Sequence, residues 1–127
     1  DVEQLINCHT NTFKNIYTKE IKQFAIHNLR NDISEYISFL ENQVKILVGF
    51  NNLEYDYPLL HYIWINKAYL QNLDANSINS LLYKESQRII DAKNNGEFVT
   101  IRFKDELIHQ VDLYKIWHYD NKAKATS

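Results

Sequence analysis

"KILVGFNNLEYDYPLLHYI", Lys45 to Ile63, is the stretch on which the fold turns. "KILVGF", Lys45 to Phe50, is an apolar run of strand length, the composition expected of a central strand covered on both faces. Asn51 and Asn52 then read as a polar turn. Pro58, the only proline, fits the first turn of a helix beginning near Asp56, which buries Leu59, Leu60, Ile63 and Trp64. In open α/β sheets ligands sit beyond the C-terminal ends of strands, and Asp56 stands at such an end.

Upstream, Asn31 or Asp32 can cap a helix whose Ile33, Tyr36, Ile37, Leu40 and Val44 recur at helical spacing on one face. Ahead of it, Val2 to Asn7, Thr12 to Thr18 and Ile21 to His27 have strand-like texture and predict a meander, with the polar "CHTN" as a break. Downstream, Ser77 to Lys93 predicts a helix with Leu81, Leu82, Ile89 and Ile90 on its apolar side. "NNG", Asn94 to Gly96, stops it, and "EFVTIRF" and "ELIHQVDLYKI" read as two further strands. No repeat, low-complexity tract or linker divides the chain, so residues 1–127 are expected to form a single mixed α/β domain or a fragment of one.

Composition narrows the classes. At 127 residues and 45% hydrophobic content the chain can bury one core, and a net charge of -2 leaves any nucleic-acid contact to a local patch. Cys8 is the only cysteine, which excludes an intrachain disulfide or a thiolate zinc cluster and fits a reducing, cytoplasmic location. The apolar run from Leu59 to Ile65 is too short to span a bilayer, so no membrane association is expected. The start at Asp1 and the lack of methionine give the expectation of a fragment.

Asp56 and Asp112 are the candidate catalytic and metal-binding residues. Hard cations such as Mg²⁺ take oxygen ligands from separate segments, and two metals can split a phosphodiester by activating water and stabilising the leaving oxygen. The same residues also admit a plain structural reading, with Asp56 capping a helix, Asn51 and Asn52 making a turn and Asp112 ending a strand.

"GFNNLEYDYPLL" resembles the second exonuclease motif of family B DNA polymerases, Asn-x-x-(Phe/Tyr)-Asp, especially in phage and protein-primed members, with Asn52, Tyr55 and Asp56 matching. "TFKN", Thr12 to Asn15, resembles the residues that follow the first motif, Asp-x-Glu, and "LIHQVDLYKI" resembles a later strand ending in an aspartate, Asp112. The resemblance implies a ribonuclease-H-like proofreading 3′–5′ exonuclease domain. It would take a single-stranded DNA 3′ end, with Mg²⁺ or Mn²⁺ as cofactor if active, in a bacterial host's cytoplasm if phage-encoded. Asn52, Tyr55 and Lys115 would contact the substrate.

On this alignment His9 and Asn11 stand where the first motif has Asp and Glu, and neutral groups are poor Mg²⁺ ligands, so the domain is expected to be catalytically impaired. The third motif, Tyr-x-x-x-Asp, has no match, and the C-terminal helix that carries it is expected to be missing. His9, Asp56 and Asp112 could instead hold one softer ion, Mn²⁺ or Zn²⁺. Tyr55, Tyr57, Tyr62 and Trp64 could stack on bases, and Lys115, His118, Lys122 and Lys124 could follow phosphates. Two alternatives stand beside this reading. One is a small phage or mobile-element protein reusing the fold as a protein-binding or inhibitory module. The other is an active exonuclease completed by residues outside this chain.

Overall fold

The structure is a computed structural model that describes residues 1–50, 52–97, 99–114 and 116. Strands β1 (Val2–Gln4), β2 (His9–Lys14), β3 (Ile21–His27) and β4 (Arg30–Asn31) form an antiparallel sheet in that order. Helix α1 (Ile33–Asn42) leads to β5 (Ile46–Gly49), followed by α2 (Asp56–Ile65), α3 (Lys67–Leu70) and α4 (Ala75–Asn94). A 3-10 turn at Phe103–Asp105 precedes β6 (His109–Asp112), which pairs parallel to β5 in a second sheet. The class is mixed α/β.

The β1–β2 and β2–β3 registers put Val2, His9, Asn11, Phe24 and Ile26 on one face of the larger sheet. There Phe24 and Ile26 bury against Ile33, Tyr36, Ile37 and Leu40 of α1, as the helical spacing requires. Phe13, Phe24, Tyr36 and Phe39 form an aromatic cluster whose ring centroids lie 5.0 to 6.2 Å apart. Helix α4 closes the core against β1, β3 and α2 with Ile78, Leu82 and Ile89. Its ends are written in the sequence: Asp74 accepts from the Ser77 amide at 2.7 Å. At the other end Gly96, at φ 74°, sends its N–H to Lys93 while Glu97 bonds back to Ala92, a Schellman stop.

Four expectations are corrected. Strand β2 begins at His9, so "CHTN" lies partly within a strand. β5 is not enclosed on both faces: Ile46 and Val48, which share one face, are 58% and 48% exposed. "EFVTIRF" contributes no strand among its described residues, which run into the 3-10 turn. Of the two cap candidates, Asp32 precedes α1 without capping it through its side chain, since its Oδ2 is taken by the Ala25 amide at 3.0 Å and the Arg30 guanidinium at 2.6 Å, whereas Asn31 Oδ1 accepts from the Ile33 amide at 3.2 Å.

Candidate functional site

The junction after β5 is built by a close approach. A Cβ added to Gly49 would stand 3.0 Å from the Cβ and Cγ of Asn52, so glycine there lets the Asn52 side chain fold back over the strand end. Asn52 is buried; its Nδ2 donates to Gln110 Oε1 of β6 at 2.9 Å, and its Oδ1 has no hydrogen-bond partner. Its carbonyl accepts from Tyr57 N at 2.7 Å, which closes the turn into α2. Asn51 lies outside the described residues.

Asp56 sits in the first turn of α2, where an anion is favoured by the helix dipole. It is half-buried, and Tyr55, not Asp56, occupies the capping position. Burial raises the pKa of the Asp56 carboxyl, the chain's amino group at Asp1 opposes that, and the Asp112 carboxylate adds to it. Asp112 is buried at the end of β6, its Oδ2 accepting from Leu53 N at 3.2 Å and its Oδ1 from Tyr114 N at 3.0 Å. It thereby ties the β5–α2 junction to β6.

Asn52 and Asp56 line a cleft of about 720 Å³ between the two sheets, together with Asp1, Lys14, Tyr17 and Lys45. Tyr17 is 88% exposed at the tip of the β2–β3 hairpin. The structure thus brings Asn52, Asp56 and Asp112 to one strand-end region but not the other predicted contacts. Tyr55 sends its hydroxyl to Ser86 of α4 at 3.2 Å. Tyr57 is core, its hydroxyl held by Leu107 N and His61 Nδ1, and Tyr62 and Trp64 pack against the core. Lys115, His118, Lys122 and Lys124 lie outside the described residues.

His9 and Asn11 are fully buried on the core face of β2. Asn11 Nδ2 donates to the Tyr36 hydroxyl at 2.6 Å, and the His9 ring bonds to Gln4 Oε1 at 2.8 Å and Tyr36 at 3.4 Å. Burial pushes the His9 pKa down to about 4 and the Tyr36 hydroxyl up, with the Asn11 bond opposing the latter and Asp56 adding to it. Gln4 and Asn79 extend this network to the Ile26 carbonyl. These bonds serve the junction of sheet, α1 and α4, while Asn11 Oδ1 also accepts from the Asp1 amino group at 3.5 Å where both line the cleft.

Asp-x-Glu spacing is nevertheless present one strand earlier. Asp1, Val2 and Glu3 put two carboxylates on the same face, flanking the buried Val2, and Asp1 lines the cleft with Asp56. The spacing was visible in the sequence; matching "TFKN" to the residues after the first motif drew attention to His9 and Asn11 instead. Among the described residues no three His, Cys, Asp or Glu side chains gather closely enough to hold a metal ion. The donor set as arranged does not fit a two-metal centre, and no metal-dependent step is derived from it.

Comparison with family models, with curated proteins and with solved structures gives no match. No helix among the described residues is long and apolar enough to cross a membrane.

Proposed function

We propose that this chain is a nucleic-acid-binding domain of ribonuclease-H-like type, related to the proofreading 3′–5′ exonucleases of phage family B DNA polymerases, which captures a single-stranded DNA 3′ end. The observation that carries this is Asn52. A buried side chain whose Oδ1 lacks a partner costs about 1–3 kcal/mol in a finished core, and here it lines an open cleft next to Asp56. Rotation of the Asn52 side chain toward the cleft would let a sugar hydroxyl donate to that oxygen and satisfy it. Lys14 and Lys45 are placed along the same cleft to follow phosphates, and Tyr17 offers an exposed ring for a base. This reading takes cleavage to be weak, since among the described residues no three potential ligands gather to hold a metal ion.

A second reading, an active Mg²⁺- or Mn²⁺-dependent exonuclease completed by further residues, is favoured by the Asp1-x-Glu3 pair. On that reading the first motif is Asp1 and Glu3, and His9 and Asn11 are core residues that replaced nothing. Degradation of 3′-labelled single-stranded DNA with Mg²⁺ and with Mn²⁺ separates the two. The binding reading expects retention of the labelled strand without degradation. Robust degradation that Asp1→Ala and Asp56→Ala each abolish establishes the second reading instead. Failure of the strand to bind at all sinks both.

A further inference from the structure

The outer edge of the larger sheet runs along β3, and the hairpin that opens this strand sets its bonding phase. Asn15 N donates to Glu20 O at 2.9 Å, so by the alternation of an antiparallel ladder Lys22, Phe24 and Ile26 bond towards β2 while Ile21, Gln23 and Ala25 turn their N–H and C=O groups outward. Most of that edge is already closed. The Ala25 carbonyl accepts from Asp32 N and its N–H donates to Asp32 Oδ2, both at 3.0 Å, and the Gln23 carbonyl accepts from the Arg30 guanidinium at 3.3 Å. β4 covers only Ile26 and His27. Among the described residues no strand lies beside Ile21 to Gln23 on this side, and Ile21 is 62% exposed. Glu20 and Lys22 flank Ile21 with their side chains on the opposite face, joined at 3.4 Å and both exposed.

We infer that this edge pairs antiparallel with the same edge of a second copy of the chain, about a two-fold axis through Ile21. Outward-bonding residues have to face outward-bonding residues, which puts the axis on a residue and leaves few registers. An axis through Gln23 sets Ile21 opposite Ala25, whose outward groups Asp32 holds. An axis through Lys22 sets two like charges directly opposite each other, which is destabilising. An axis through Ile21 meets neither obstacle. Ile21 of each copy then exchanges two N–H···O=C bonds with Ile21 of the other, and the two exposed side chains meet on one face. On the opposite face Glu20 of each copy stands across from Lys22 of the other, so the edge is complementary to itself in charge as well as in bonding. The paired stretch is short, and a dissociation constant of about 10 µM to 1 mM suits so small an interface. This inference does not rest on the proposed activity.

Sedimentation equilibrium of the full chain without DNA, from about 10 µM to 1 mM, tests it. Glu20 and Lys22 also line the cleft, so mass and not DNA binding is the readout. Glu20→Lys and Lys22→Glu each set like charges opposite each other across the two-fold, and each alone is expected to weaken association about tenfold or more. In an equal mixture of the two variants every lysine at these positions in one chain faces a glutamate in the other, and association is expected to return to within about threefold of the natural chain. Neither variant regains the Glu20–Lys22 pair within its own strand, so rescue by mixing reads the contact between copies alone. A natural chain that stays monomeric at about 1 mM overturns the inference. So does a dimer that the single variants leave intact, which places the interface on another surface, or a mixture that associates no better than either variant by itself.

Discussion

Asn52 reaches across from the β5–α2 junction to donate to Gln110 of β6 at 2.9 Å, and in doing so leaves its own Oδ1 buried without a partner. One amide thus holds the two strands' ends together with its nitrogen and keeps its oxygen buried without a partner against Gly49, at the edge of the cleft that Asn52 lines.

Gly49→Ala tests that packing. The added methyl meets the Asn52 side chain at 3.0 Å, so Asn52 has to move and the Gln110 bond with it. A stability loss of about 1–3 kcal/mol in urea denaturation is expected, together with weaker DNA binding. Unchanged binding in this variant would show that the position of Asn52 is not important to the cleft.

Tyr36→Phe removes the hydroxyl that accepts from Asn11 at 2.6 Å and leaves the Asn11 amide buried without it. A loss of about 1–3 kcal/mol follows from the stranded donor, measured by chemical denaturation at neutral pH. Asn11 also lines the cleft, where its Oδ1 lies 3.5 Å from the Asp1 amino group, so a loosened Asn11 is expected to weaken DNA binding modestly even at a temperature where the variant is folded.

The pH dependence of folding follows from His9. Its pKa falls from an ordinary 6.5 to about 4 on burial, so between those values the unfolded chain binds a proton that the folded chain does not. Its neutral form costs nothing extra above 6.5, and stability drops as pH falls through that window, by about 3 kcal/mol at its acid end. Asp56, whose carboxyl is raised, works in the opposite direction. Comparison with His9→Gln, which keeps a polar side chain but cannot titrate, isolates the histidine. Parallel stability curves for the two proteins from pH 7 to about 4 would refute its burial as neutral imidazole.

Three helices were legible in the sequence because periodicity and stop signals are local: α1, α2 and α4 fall where the spacing of Ile33 to Leu40, Pro58 and the Asn94 to Gly96 stop put them, while the four-residue α3 carries too little periodicity to be read. β5 misled because a run of apolar residues reports affinity for a core, not which faces of the strand are covered, and Ile46 and Val48 are 58% and 48% exposed. Tyr55 looked like a cleft aromatic by proximity in sequence, but its hydroxyl meets Ser86 instead; Tyr57 does line the cleft, yet it is buried with its hydroxyl accepting from Leu107 N, which leaves no free ring face for a base. Asp56 and Asp112 were found as strand-end acids. The burial of His9 and Asn11 was not legible, because it depends on the pairing of β1 with β2.

Lys14→Ala and Lys45→Ala probe the phosphate track along the cleft. Each is expected to weaken single-strand binding irrespective of base sequence and to reduce the slope of log affinity against log salt by about 0.7. A salt slope that neither change alters places the phosphates elsewhere.

Fluorescence anisotropy of a labelled single-stranded oligonucleotide, with linear and circular unlabelled strands of the same sequence as competitors in EDTA, tests the central claim most directly. Capture of a 3′ end through Asn52 predicts that the linear strand competes about tenfold or more better than the circle, and that Asn52→Ala erases the difference. Equal competition by linear and circular strands would contradict it.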